Sequence, residues 1–222
     1  MKIPSFVWVV LILIVGFGFL MLLANQKNNQ SVLNATLPVY VEVYADFNCP
    51  HCAEFESFVT AAREKYGDKV NIQVKMLPFL TSGQTPDTSA EYAYAALAAG
   101  KQAKKEEFTE LLFKWITFRK NPTNTIFTYT DEEKQLFANT INLEELASYL
   151  ELDVQKFNID RVSSEVKAEL LAEKDSAVKR MGAISTPAVF YYGTYQKLST
   201  YNDLDAKIDS YIKQAEASTT NK

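Results

Sequence analysis

The sequence predicts an α/β fold in which a strand, a helix and a second strand are followed by a long helical block, and then by a hairpin and a closing helix. Three observations predict it. Residues 38–44 alternate and are rich in Val and Tyr, and they lead into helical spacing at Phe55, Phe58, Val59 and Ala62. Val70, Ile72, Val74 and Met76 alternate again and stop at Pro78. From about residue 84 to 181 the apolar residues recur at helical spacing, and strand-like runs return only beyond them.

The 222 residues, 47% hydrophobic and 23% charged, suit one globular domain with an appendage. A net charge of -4 and a pI near 5.2 leave no clustered cations for a phosphate backbone, which argues against a nucleic-acid partner. Seven glycines and seven prolines are too few for long linkers inside the folded part.

Phe6 to Ala24 is an apolar run preceded by Lys2. At about 20 residues it is long enough to cross a bilayer. A cleaved signal peptide is the competing reading, but its apolar core runs to about 7 to 15 residues, and Leu22-Leu23-Ala24 is a poor cleavage site. The expectation is one transmembrane anchor over residues 1–24 that holds the protein in membrane lipid. The few N-terminal positive charges weakly favour a cytoplasmic N-terminus. Residues 25–35 are polar and read as a tether. The folded domain is expected over residues 36–217, with a flexible tail at 218–222.

The first strand delivers the chain to Cys49-Pro50-His51-Cys52, which holds both cysteines and the single histidine of the sequence. A helix starting here places Cys49 at its N-terminus. Free amides and the helix dipole stabilise an anion there by roughly 0.3 to 2 kcal/mol. Pro50 at the first helical position forfeits no helical hydrogen bond. A protonated His51 would add a charge-assisted hydrogen bond of about 1.5 to 3 kcal/mol. Since about 1.4 kcal/mol corresponds to one pKa unit, these contributions lower the Cys49 pKa by several units. Cys52 lies on the same side of the first turn and is placed to close a disulfide onto Cys49.

Other chemistries fit less well. Structural zinc wants about four ligands, and beyond His51 no further His or Cys exists in the chain. Copper(I) accepts two thiolates, so a thiol metallochaperone stays open as an alternative. A structurally inert disulfide across so short a loop would constrain the unfolded chain little.

Tyr66-Gly67-Asp68 ends the first helix, and the second strand follows. Pro86 and Asp87 open an alanine-rich helix through Leu97 that stops at Gly100. Phe108, Leu111, Leu112, Trp115 and Ile116 stripe the next, which Asn121-Pro122 breaks. Thr130 with Glu133, and Asn142 with Glu145, read as capping boxes. Asp153 opens one further helix carrying Val154, Phe157, Val166, Leu170 and Val178, closed by Lys179-Arg180-Met181-Gly182. These stripes read as core, with Trp115 or Phe127 as candidates to line a peptide groove instead. Residues 188–192 and 195–198 form a hairpin around Gly193-Thr194, and Asn202-Asp203 cap a last helix through Leu204, Ile208, Tyr211, Ile212 and Ala215.

With Cys49-Pro50-His51-Cys52 after a strand, the helical block, and Met181-Gly182-Ala183-Ile184-Ser185-Thr186-Pro187 before the hairpin, the chain resembles the DsbA-like thiol:disulfide oxidoreductases over about residues 36–215. The resemblance implies a thioredoxin-like fold with a helical insertion, at about 84–181, between the second and third core strands. It implies that Cys49 and Cys52 form the redox-active disulfide, with Pro50 and His51 in the catalytic motif. It also implies a cis Thr186-Pro187 bond that leaves the Thr186 backbone free to pair with an extended substrate. The Cys-Pro-His-Cys variant points to the oxidising branch, with reductase or isomerase activity as alternatives. Reduced secreted or surface proteins would be the substrates, a quinone-linked membrane oxidase would restore the disulfide, and no bound cofactor is needed. Stable disulfide chemistry places the domain outside the cytoplasm.

One position departs from the family pattern. Thioredoxin-like proteins often carry a buried carboxylate six residues before the nucleophile, where this chain has Val43. Glu42 is next to it and is expected to face the other side of the strand.

Overall fold

The computed structural model describes residues 38–78, 88–198 and 200–220. The expected anchor at Phe6–Ala24, the tether and the helix start at Pro86-Asp87 lie outside them. Among the described residues no helix is long and apolar enough to cross a membrane. Residues 38–208 make one compact unit, and the described residues of a second, 209–220, belong to the last helix.

Four strands form one mixed sheet. β1 (Val39–Ala45) runs parallel to β2 (Val70–Met76) and antiparallel to β3 (Ala188–Tyr191), which pairs antiparallel with β4 (Thr194–Gln196), giving the order β2-β1-β3-β4. A parallel pair needs a crossover, and α1 (Pro50–Tyr66) supplies it. Gly67, at φ +50°, ends that helix, and its N–H returns to the Arg63 carbonyl. Val43 aligns with Val74 on one side and Val189 on the other, so β1 is the buried centre of the sheet.

The helical block between β2 and β3 holds α2 (Thr88–Gly100), α3 (Lys105–Lys120), α4 (Asp131–Asn139), α5 (Leu143–Tyr149), α6 (Val154–Val162) and α7 (Ser164–Met181). α2 is its axis. Ala93, Ala95, Ala96, Ala98 and Ala99 are all buried, and their small side chains let α3, α6 and α7 approach it closely. Thr130 and Glu133 make both arms of a capping box on α4. At α5 only the first arm forms: Asn142 accepts from the Glu145 N–H, while the Glu145 carboxylate takes the Ile141 N–H, one residue early.

Two expectations in this block are corrected. The helix expected from Asp153 to Met181 is two helices, because Ser163 takes an extended conformation and caps α7 by accepting from the Val166 N–H. The apolar stripe therefore restarts. Val166, Leu170 and Ala177 are buried, and Val178 is left 39% exposed. The hairpin turn is also one residue earlier than expected, at Tyr192-Gly193, with φ of +47° and +79°. Positive φ at both central residues is the requirement of a type I′ turn, the geometry that matches strand twist.

Strand alternation sorts the two sheet faces. Tyr44 packs with Leu77, Ala177, Ala188 and Phe190 under α7. Glu42 joins that face, bound by Lys75 and by Arg180 at 2.6 Å. On the opposite face the Tyr191 hydroxyl donates to the Leu204 carbonyl in α8 (Asp203–Thr220), and α1 is joined to the same helix where Tyr66 donates to Asp205 at 2.8 Å. The flexible tail expected from residue 218 is helical as far as Thr220, since Ala217-Ser218-Thr219-Thr220 contains no proline or glycine to stop it.

Candidate active site

The site is made where β1 turns into α1. Asp46 folds the connection: its carboxylate accepts from the Asn48 N–H at 2.9 Å and the Ser89 hydroxyl at 2.6 Å, and its carbonyl accepts from the Cys49 N–H at 3.1 Å. Asn48 donates to the same Ser89 at 2.8 Å, which stitches the start of α2 to the loop. Between them Phe47 is buried against Tyr92 and Phe113.

Cys49 is the N-cap of α1 and Pro50 its first residue, so the Cys52 and Ala53 amides close onto the Cys49 carbonyl. Cys49 is half-buried and Cys52 is 1% exposed, and both are free thiols. The two sulfurs have opposite electrostatics. A hydrogen bond from the Cys52 thiol lowers the Cys49 pKa most; burial opposes it, and the Thr186 side chain with the Cys52 and His51 amides brings it to about 5. Burial pushes the Cys52 thiol far above its ordinary range, and the Cys49 sulfur adds to that push. The Asp46 amide, 3.5 Å from the Cys52 sulfur, offsets only part of it.

The second wall comes from the far end of the chain. Thr186-Pro187 is a cis peptide bond, and the Cys49 thiol donates to the Thr186 carbonyl at 3.7 Å. Cys49, Cys52 and Thr186 therefore meet, with Pro50 and Pro187 beside them in sequence. His51 is different: its backbone amide faces the Cys49 sulfur, whereas its residue is exposed. The two aromatics expected as possible groove residues are both buried. Phe127 packs against Tyr129, and Trp115 against Tyr92.

Three buried acids shape the surroundings. Val43 is buried without charge, and Glu42 points to the α7 face, as strand alternation requires. Asp46 holds the loop. Glu56, one turn beyond Cys52 on α1, is 1% exposed, and burial pushes its carboxyl up to about 8 against the pull of Arg63 at 3.5 Å. The Asp46-to-Asn48 turn was readable from residue types two apart, and an acid among Phe55 and Val59 signals Glu56. Nothing local signals Ser89, which is 43 residues from Asp46. Among the described residues no three His, Cys, Asp or Glu side chains gather as a metal site.

An accessible, ionised sulfur paired with a buried, protonated one can exchange disulfides: the first meets the external thiol and the second closes the ring. The comparisons with known proteins give the family and the fold. The family model described as Thioredoxin matches residues 34–210. No curated protein matches the chain. Among solved structures, it is similar to oxidoreductase DsbA from Xylella fastidiosa, at TM-score 0.58 and 19% identity, covering 83% of this chain and 89% of that one. BdbD from Bacillus subtilis, in its oxidised form, matches at TM-score 0.56 and 18% identity over 80% and 89% of the two chains. MdbA, a thiol-disulfide oxidoreductase from Corynebacterium diphtheriae, matches at 0.53 and 22% identity over 80% and 82%.

Proposed function

The chain belongs to the thioredoxin family, and from that premise we propose that it is a membrane-anchored oxidase that introduces disulfides into proteins outside the cytoplasm. One observation carries the direction of the reaction. Cys49 caps a helix beside a buried Cys52, and the Cys52 thiol with the Cys52 and His51 amides stabilises its thiolate down to about pH 5. Whatever stabilises that thiolate stabilises the reduced protein, because the disulfide carries no charge. A stable reduced form makes the disulfide a strong oxidant.

In the reaction a substrate thiolate attacks the Cys49 sulfur. The Cys49–Cys52 bond breaks, its electron pair passes to Cys52, and Cys52 takes up a proton. A second substrate thiolate then attacks the substrate sulfur of the mixed disulfide, and Cys49 departs as a thiolate. The substrate loses two electrons and the protein gains them. Thr186 offers backbone groups for an extended substrate strand. A quinone-linked membrane oxidase would take the electrons onward, and Phe6–Ala24 would hold the enzyme in the same membrane.

The test is the equilibrium potential of the Cys49–Cys52 couple in glutathione buffers. A value well above about -220 mV supports the oxidase, because the folded protein then prefers the dithiol to glutathione. A value near about -270 mV makes it a reductase and overturns the direction.

A further inference from the structure

Beyond the dithiol, the helical block holds a cavity of about 640 Å³, walled by Tyr92 from α2, Trp115 and Arg119 from α3, Glu144 from α5, Arg161 from α6 and Lys167 from α7. Its volume is that of a ligand site. We propose that this cavity binds an acidic, aromatic segment of the substrate polypeptide, away from the cysteine that is being oxidised. The proposal rests on the oxidoreductase reading above.

Charge selects the ligand. The lining carries three cations against the carboxylates Glu91 and Glu144, in a protein whose net charge is -4. Arg161 is taken up by Glu144 at 2.9 Å. Among the described residues Arg119 and Lys167 have no carboxylate partner, and both are exposed. Arg119 lies over the Trp115 ring at 4.9 Å, so a carboxylate bound there would sit beside an aromatic wall. Trp115 itself is buried, and its indole N–H finds no acceptor among the described residues.

Shape selects a polypeptide over a small enclosed ligand. The mouth is open and edged by Ile141, 78% exposed, and Val162, 64% exposed, which suit the apolar flanks of a chain passing across it. The cavity is joined to the active-site loop through the core: Tyr92, which lines it, packs on Trp115 at 6.3 Å and on Phe47, two residues before Cys49, at 6.1 Å.

Calorimetric titration of the full-length protein with a cysteine-free peptide of alternating Glu and Phe tests this, against the same peptide with Lys for Glu. The Glu peptide should bind and the Lys peptide should not. Arg119→Gln with Lys167→Gln should weaken binding about two- to thirtyfold, as the loss of two exposed ion pairs predicts. Lys167→Gln alone, at a side chain with no partner to lose, should give part of that effect. Oxidation of dithiothreitol should stay unchanged in both variants. Equal binding of the two peptides, or variants that bind as well as the parent, would overturn the proposal. Selective binding in a protein that oxidises no thiol would remove the oxidase and keep the cavity's role; thiol oxidation without selective binding would remove the cavity's role alone.

Discussion

The Cys49 sulfur lies 3.7 Å from the Thr186 carbonyl oxygen, a contact between residues 137 positions apart in the chain. It joins the first turn of α1 to the loop that follows α7.

Cys49 should be a thiolate at neutral pH. Iodoacetamide should modify it alone in the reduced protein, with a rate that rises with a midpoint near pH 5. Buried Cys52 should react only after denaturation. A midpoint near the ordinary 9.0 would mean that the helix terminus and Cys52 do not stabilise the anion.

The same shift has a sign in stability. The folded Cys49 pKa lies below its unfolded value, so the stabilisation of the reduced protein is fully present above pH 9 and is lost as pH falls through 5. Denaturant midpoints of the reduced protein should therefore gain on those of the oxidised protein across that window, with a size reduced by solvent screening of half-exposed Cys49. Proton counting also predicts a potential that falls by about 30 mV per pH unit above pH 5 and about 59 mV below it.

Glu56 should act in the opposite direction. Its folded pKa of about 8 lies above the ordinary 4.5, so the folded protein holds a proton that the unfolded chain releases. Stability should decline as pH rises from 4.5 to 8, by a total on the order of a few kcal/mol. Glu56→Gln, measured in the oxidised protein where no thiol titrates, should abolish that slope and raise the melting temperature at pH 8. An unchanged slope would show that the carboxyl is ionised and satisfied in the fold.

Glu42 binds two cations, Lys75 and Arg180, under α7. Glu42→Gln leaves both without a charge partner and should cost about 2 to 3 kcal/mol in a urea titration, below the value for a fully buried pair because both cations reach solvent. Arg180→Gln should cost less, since Lys75 remains.

Ser163 separates α6 from α7. Ser163→Ala removes its hydrogen bond to the Val166 amide and should cost about 1 kcal/mol in the same titration, while Ser163→Asn should cost nearly nothing. Equal losses in both would point to packing and not to the cap.

Much of this protein was written locally. Alternating Val and Tyr before Cys49, Pro50 at the first helical position, and Thr130 with Glu133 each act over a few residues, so the strand, the motif helix and a capping box were legible without knowledge of what lies across the fold. Errors arose where two local signals competed. A continuous apolar spacing from Val154 to Val178 outweighed the capping capacity of Ser163, and Gly193 was read as the first turn residue when Tyr192 also takes a positive φ.

The sequence by itself determined the order of elements, the thiolate position at a helix N-terminus and the absence of a carboxyl at Val43. The tertiary structure alone decided which distant groups complete the site. Thr186 reaches Cys49, Ser89 reaches Asp46, and Arg180 reaches Glu42 because the parallel β1–β2 crossover and the helical block bring separate parts of the chain together. Burial was decided there too. Whether Cys52 and Glu56 are neutral depends on how many neighbours exclude water from them, and that is a property of packing in three dimensions that no run of adjacent residues encodes.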